Sequence, residues 1–343
     1  MDEAIPLQEA ANRFGVKVTR LRKAADEGRL EVKRLPGSRD RLVRPSEVRR
    51  FLKGGGQGRP TGEARTGNSP TADRQQGVRA RVIAVAIPKG GTGKTTTTAN
   101  LGAALAEMGK RILLIDLDPQ GSLTLTLNCR PGHGQLTVYD IISRYVKEYE
   151  GDLTEAIVEA RPNLDLVPAT SRLNLANTEL INARQREYVL RQLVTPLRDC
   201  YDLILIDTLP YLGILVENAL AAADEVLIPT QAQHLSTESI DLITQQVNSI
   251  RKSGLNPNLH IGGIVLTQVK ENRIVDRHYR DGIRMFYDGT IPVFQTEIRD
   301  SADVQKSQAM EPPQTLIEYA PLGNATAAYR ALAEEVLHAA AVA

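Results

Sequence analysis

The stretch Ile83-Ala-Val-Ala-Ile-Pro-Lys-Gly-Gly-Thr-Gly-Lys-Thr-Thr96 decides how this chain is read. A short apolar run, rich in β-branched residues, enters a glycine-rich loop, and the loop enters a helix-forming segment. That order aims unpaired backbone N–H groups and the positive end of a helix at a phosphate chain. Glycines let the backbone approach phosphate oxygens without a Cβ in the way. At the loop's end Lys94 is placed to reach the β- and γ-phosphates of ATP, and the Thr95 hydroxyl to ligate Mg²⁺. The generic pattern G-x-x-x-x-G-K-S/T is not met, because Pro88 stands where its first glycine belongs. The pattern that fits is K-G-G-x-G-K-T-T, with a second lysine, Lys89, opening the loop. The expected nucleotide-binding residues are therefore Lys89, Gly90, Gly91, Thr92, Gly93, Lys94, Thr95 and Thr96.

Two acidic segments lie downstream. Ile112-Leu-Leu-Ile-Asp-Leu-Asp-Pro-Gln-Gly-Ser122 is an apolar run ending in Asp116 and Asp118. Carboxylates at the C-terminal end of a parallel strand face the ligand crevice of an open α/β sheet. Two residues apart on an extended strand, both side chains are expected on one face. Tyr201-Asp-Leu-Ile-Leu-Ile-Asp207 is a second apolar run ending in an acid, and Asp207 is the candidate for holding Mg²⁺ through its water shell.

The chain from Ala80 onward alternates such runs with longer helical patterns. Strands are expected at 82–87, 112–115, 164–167, 203–206, 225–229 and 261–266, and helices at 95–108, 178–197, 215–223 and 237–252. Continuous apolar strands are those covered on both faces. Strand–helix alternation predicts an α/β fold with a doubly wound, mainly parallel sheet.

Lys89-Gly-Gly-Thr-Gly-Lys-Thr-Thr96 together with Asp116-Leu-Asp-Pro-Gln-Gly121 resembles the deviant Walker-A ATPases, the P-loop NTPase group that contains ParA, Soj and MinD. Asp207-Thr-Leu-Pro-Tyr-Leu-Gly213 follows the same course, except that Leu209 replaces one of two customary prolines. Ala222-Ala-Asp-Glu-Val-Leu-Ile-Pro229 and Tyr319-Ala-Pro-Leu-Gly-Asn324 extend the resemblance over most of the chain. The resemblance implies that Lys89 reaches the nucleotide of a partner subunit, so that two copies sandwich ATP as a homodimer. It implies that Asp118 positions the attacking water and that Asp116 supports the metal region. It further implies DNA binding without sequence preference and a ParB-like centromere-binding partner that accelerates hydrolysis. No strong general base is visible, so slow basal hydrolysis is expected, with the nucleotide acting as a timer for DNA partition.

Working outward, composition separates a head and a tether from this body. Residues 1–79 carry 18 Lys and Arg against 10 Asp and Glu, whereas the remaining residues carry 24 against 31. A basic head on an acidic body suits a polyanionic partner. Residues 54–79 are rich in Gly, Pro, Ser and Thr and almost empty of large apolar side chains. Such a segment cannot bury enough surface to offset its ordering entropy, so it reads as a linker between a head at 1–53 and an ATPase domain at 80–343.

Within the head, a first helix, a turn at Gly15 and a second helix beginning near Thr19 give helix-turn-helix spacing. Arg20, Arg22 and Lys23 fall near the start of the second helix. Residues 31–42 read as a two-stranded wing turning at Pro36-Gly37-Ser38, with Arg39, Arg41 and Arg44 placed to meet phosphates. The head resembles the winged helix-turn-helix of MerR-type and excisionase-type DNA-binding domains. In the body, Arg273, Arg277, Arg280 and Arg284 recur at helical spacing and form a candidate basic stripe, joined by Arg299.

The alternative function is an ATP-gated transcriptional regulator acting through the head. A membrane-positioned protein of the MinD kind is disfavoured, because the chain ends Glu334-Glu-Val-Leu-His-Ala-Ala-Ala-Val-Ala343 without a basic face. An iron–sulfur reductase is disfavoured because Cys129 and Cys200 lie in no cluster motif. Two unspaced cysteines and no apolar N-terminal run make the cytoplasm, in association with the nucleoid, the expected location.

Overall fold

The computed structural model describes residues 79–233, 236–270 and 274–339, with residues 5–7, 21, 24–25, 30, 32–34 and 41–43 of the head. The chain divides into two units, residues 1–74 and 75–343.

In the first unit, β1 (Ile5–Pro6), β2 (Lys33–Arg34) and β3 (Arg41–Val43) form a small antiparallel sheet in the order β1-β3-β2. Arg34 pairs with Arg41 and Lys33 with Leu42. Leu7, Leu21, Ala24, Leu30 and Val43 are buried. Thr19, Arg20, Arg22, Lys23, Arg39 and Arg44 lie outside the described residues.

The second unit is built on β4 (Arg81–Val85), β5 (Ile112–Asp116), β6 (Val158–Arg161), β7 (Leu164–Val167), β8 (Leu203–Asp207), β9 (Glu225–Gln231), β10 (His260–Val269) and β11 (Val293–Arg299). Its helices are α1 (Lys94–Glu107), α2 (Ser122–Thr126), α3 (Val138–Glu148), α4 (Asn174–Ile181), α5 (Val189–Val194), α6 (Ile214–Ala222), α7 (Ser236–Lys252), α8 (Ile274–Tyr287), α9 (Ala302–Ala309), α10 (Leu316–Tyr319) and α11 (Asn324–Ala339). The strands form one sheet in the order β11-β10-β9-β4-β8-β5-β7-β6. Every neighbouring pair is parallel except β6 with β7.

Alternation along the strands explains why the sheet is covered twice. Ile83, Val85, Ile112, Leu114, Leu203 and Leu205 pack on one face against α1 and α11, together with Leu101, Leu105, Tyr329 and Leu332. Val82, Ala84, Leu113, Ile115, Ile204 and Ile206 pack on the other face with Ile141, Leu190, Leu220 and Ile243 of the opposite helices. A strand apolar on both faces is stable only between two layers, since each fully buried aliphatic side chain contributes roughly 1.5–3 kcal/mol. Helix α1 sits close to the sheet because Gly102 has no side chain: a Cβ there would come within 2.8 Å of a Leu114 methyl.

All six expected strands are present within two or three residues of their expected bounds, and the structure adds β6 and β11 at the two edges. One expected helix is corrected. Residues 178–197 do not form a continuous helix: α4 ends at Ile181, α5 starts at Val189, and a 3₁₀ turn follows at Thr195–Asp199. Gln185 takes a positive φ of 50° in the break. The Asn218 side chain holds it open, accepting from the Leu190 amide at 3.1 Å and donating to the Arg186 carbonyl at 2.8 Å. Pro196 then tightens the last turn. Among the described residues, no helix is long and apolar enough to cross a membrane.

Candidate nucleotide site

Strand β4 lies between β8 and β9, so the loop that leaves it at residues 86–93 emerges at the carboxyl edge beside the ends of both. This is the edge at which open α/β sheets bind ligands. Gly91 and Gly93 take φ of 73° and 85°, conformations that a Cβ disfavours. Gly93 opens α1, and no side chain caps that helix end. The first-turn amides of α1 are thus left for an external acceptor, which is how a helix N-terminus receives phosphate. In front of them a cavity of about 430 Å³ is lined by Gly90, Gly93, Lys94, Thr95, Thr96 and Asp118, among others.

Lys94 is 7% exposed, and its ammonium donates to the Lys89 carbonyl at 2.8 Å. Burial lowers its pKa, and the nearby charges of Asp207 and Asp118 oppose that shift. Lys89 and Thr92 do not line the cavity. Thr92 is buried, and the Lys89 ammonium is enclosed with no hydrogen-bond partner among the described residues.

The two acidic segments meet here but take different parts. Thr95 Oγ1 donates to Asp207 Oδ2 at 2.7 Å, and Thr98 Oγ1 lies 3.3 Å from Asp207 Oδ1. A hydroxyl and a carboxylate side by side, next to an uncapped helix end, are the hard oxygen donors that suit Mg²⁺. Asp207 is fully buried, and burial raises its pKa to about 8, with the Asp116 charge adding to the rise.

The expectation that Asp116 and Asp118 share a strand face is corrected: β5 ends at Asp116, and Asp118 lies beyond it. Asp116 is fully buried, and Asp118 is partly exposed on the cavity wall. Asp116 Oδ2 accepts from the Thr124 amide at 2.8 Å and the Thr124 hydroxyl at 2.7 Å, while Oδ1 accepts from the Asp118 amide at 3.2 Å. Both of its oxygens are thus engaged by their own chain. Asp116 thereby braces the segment carrying Asp118. Asp118 Oδ1 accepts from the Gln120 amide at 2.9 Å, which turns the loop tightly after it.

Two arginines of the basic stripe are engaged by the neighbouring strand. Arg284 donates to the Phe294 and Gln295 carbonyls and pairs with Glu297 at 3.0 Å, and Arg280 pairs with the same carboxylate at 3.4 Å. These two arginines are turned onto edge strand β11. Arg277 and Arg299 are exposed, and Arg273 lies outside the described residues.

Sequence reasoning missed Thr98 and Thr124, the hydroxyls that hold Asp207 and Asp116. It also missed Gln231, Thr267 and Gln268, which touch the glycine-rich loop from behind. Thr98 follows Lys94 by one helical turn, and Thr124 lies on α2 eight residues beyond Asp116; Gln231, Thr267 and Gln268 come from remote strands and carry no local signal. A larger cavity, about 580 Å³, opens among the first residues of β4, β9 and β10. There Arg81 Nε lies 2.9 Å and His260 Nε2 3.6 Å from the Glu225 carboxylate.

Residues 80–261 match the family described as AAA domain. The sporulation initiation inhibitor protein Soj of Bacillus subtilis is 35% identical over 257 residues, spanning 75% of this chain and 98% of Soj. The chain belongs to the ParA/Soj family of ATPases. Among solved structures, a cobyrinic acid a,c-diamide synthase of Mycobacterium smegmatis with bound ATP analogue and magnesium matches this ParA-type chain with a TM-score of 0.63 and 30% identity, covering 76% of this chain and 95% of that one. A plasmid partition protein of Borrelia burgdorferi bound to AMPPNP matches with a TM-score of 0.62 and 25% identity, covering 76% and 99%.

Proposed function

We propose that this protein is a DNA-partition ATPase. Mg-ATP closes two copies into a dimer that holds DNA, and hydrolysis stimulated by a centromere-binding partner releases it. The observation that carries the reading is the conjunction of the uncapped α1 N-terminus, Lys94 on the cavity wall and the Thr95–Asp207 hydrogen bond. Similarity to Soj and to a plasmid partition protein supports the biological role.

In this reading Lys94 and the loop amides bind the β- and γ-phosphates and offset charge on the transferring group. Thr95 and Asp207 hold Mg²⁺, which when bound neutralises phosphate charge as a Lewis acid. Asp118, on the cavity wall, orients the attacking water. Asp116 fixes Asp118 by holding its amide. Lys89 leaves its enclosed position to contact the nucleotide of the partner subunit. Among the described residues no His or Glu lines the cavity, so hydrolysis by the protein alone is slow.

The head contributes a second DNA contact as a winged helix-turn-helix, with Arg20, Arg22 and Lys23 toward base edges and Arg39, Arg41 and Arg44 toward phosphates. In the body, Arg273, Arg277 and Arg299 offer sequence-independent contacts.

The test measures mass by light scattering, ATP turnover and DNA retention of the full chain, with and without Mg-ATP. Dimerisation, DNA retention that needs ATP, and turnover well below one per second are expected. A chain that stays monomeric with saturating Mg-ATP, or a Lys89→Ala variant that dimerises and hydrolyses like the parent, would falsify the sandwich.

A further inference from the structure

Three side chains from the ends of β9 and β10 grip the back of the glycine-rich loop. Gln231 Nε2 donates to the Gly91 carbonyl at 2.9 Å, and Gln268 Nε2 donates to the same oxygen at 2.7 Å. Gln231 Nε2 also donates to Gln268 Oε1 at 2.7 Å, which ties the two amides together. Next along the loop, Thr267 Oγ1 donates to the Thr92 carbonyl at 2.7 Å. A carbonyl oxygen only accepts, so both glutamines must present their NH₂ groups to Gly91, and the orientation of each amide is fixed by chemistry. None of the three residues lines the cavity.

The consequence follows from peptide geometry. In a planar trans peptide, C=O and N–H point in opposite directions. Drawing the Gly91 and Thr92 carbonyls toward β9 and β10 therefore sends the Thr92 and Gly93 N–H groups the other way, and Gly91 and Gly93 line the cavity. Gly91, with its φ of 73°, has no intrinsic preference to hold that peptide plane, because glycine visits either side of φ freely. Gln268 itself takes a φ of 53°, a left-handed conformation that a non-glycine residue adopts at a cost. Its side chain meets the loop from that conformation.

We propose that Gln231 and Gln268 are positioning residues for nucleotide. Their paired amides lock the Gly91–Thr92 peptide so that the loop's N–H groups stand ready for phosphate oxygens before the ligand arrives. Preorganised donors raise affinity by sparing the loop's ordering entropy on binding. The proposal rests on the nucleotide-binding reading above and adds to it where the loop's rigidity comes from.

The test uses the full chain and Mg-AMPPNP, with Gln231→Ala, Gln268→Ala, the double variant, Gln268→Lys and Gln268→Glu. Calorimetry gives Kd, steady-state assays give KM and kcat, and a thermal melt of nucleotide-free protein reports the fold. Each alanine variant is expected to raise Kd about fivefold and the double variant about twentyfold, as loss of hydrogen bonds of ordinary strength implies. KM rises with Kd, and kcat at saturation falls as well, because the same loop amides offset charge on the transferring group. Gln268→Lys keeps a donor and restores affinity. Gln268→Glu opposes a carboxylate to the Gly91 carbonyl and weakens binding at least as much as alanine. Tm without nucleotide stays within about 2 °C of the parent, because Gln268 is exposed and Gln231 only partly buried. Variants that bind like a binding-competent parent overturn the brace alone. A fall in Tm without a change in Kd, or no rescue by lysine, overturns it as well. A parent that takes up no Mg-AMPPNP overturns the nucleotide reading and the brace with it.

Discussion

Asp116 and Asp207 are register partners on the adjacent parallel strands β5 and β8, yet only Asp207 has a carboxylate directed to the nucleotide loop. Asp116 spends both oxygens on Thr124 and the Asp118 amide. Equal depth and adjacent position thus produce two settings, one carboxylate bonded to Thr95 and Thr98 and the other to Thr124 and the Asp118 amide.

The depth of Asp207 makes a pH prediction. Burial raises its pKa from 3.8 to about 8. A raised acid keeps its proton in the fold longer than in the unfolded chain, so the folded state binds more protons between those values. Stability of the nucleotide-free protein therefore falls as pH climbs through that window. Asp207→Asn removes the dependence, and its Tm should overtake that of the parent by several degrees near pH 8. Mg²⁺ favours the ionised carboxylate, so the stabilisation conferred by Mg-AMPPNP on the parent should grow from about pH 6 to about pH 8.5. Thermal melts with and without Mg-AMPPNP across pH check both; a pH-independent gap between parent and variant contradicts them.

Lys94 is buried with its charge satisfied by a backbone carbonyl, so the loop already tolerates its ammonium without nucleotide. Lys94→Ala removes a desolvated charge that phosphate would meet directly. Loss of one side of such a pair costs roughly 2–5 kcal/mol, which corresponds to a rise in Kd of about 30-fold or more. Calorimetry with Mg-AMPPNP measures it. Unchanged circular dichroism of the variant separates lost binding from lost fold.

Gly102 marks the closest approach of α1 to the sheet. An alanine there would set its Cβ 2.8 Å from one Leu114 methyl and 3.3 Å from the other. Leu114 is fully buried, so it has little room to turn. Overpacking of this kind costs roughly 1–3 kcal/mol, in excess of the gain in helix propensity. Gly102→Ala should shift the denaturation midpoint down with an unchanged slope, and because α1 carries Lys94 and Thr95, weaken nucleotide binding too.

Much of this was legible in the chain because the relevant physics is local. Strand β4, the glycines and α1 are consecutive, so periodicity and loop chemistry identify them together. The continuous apolar runs ending at Asp116 and Asp207 gave the buried strands and their carboxyl ends. What escaped reading depends on partners far away in sequence. Residues 178–197 keep helical periodicity, but Asn218, on another helix, takes up the backbone groups of Arg186 and Leu190 and splits the helix. Gln231 and Gln268 look like ordinary polar residues at strand ends until the sheet order sets them behind Gly91. The arginine spacing at 277–284 predicts a helix face correctly, but spacing carries no information on Glu297, which claims two of those arginines.

That last contact gives Arg280 and Arg284 a role at the sheet edge. Strand β11 is a sheet edge, and unpaired edge groups invite association. Arg284 covers the carbonyls of Phe294 and Gln295, while the Glu335 carboxylate accepts from the amides of Gln295 and Thr296 at 2.8 and 2.7 Å. Arg284→Ala strips the carbonyls and leaves Glu297 with Arg280 alone. It should lower stability by about 1–3 kcal/mol and promote aggregation on heating. DNA affinity, measured well below Tm, should stay near that of the parent. Arg277→Glu should weaken ATP-dependent DNA binding and reduce its salt slope. Binding titrations at several salt concentrations, paired with thermal melts, distinguish the two arginines. An Arg284→Ala variant that loses DNA binding while keeping its Tm would return that residue to the DNA face.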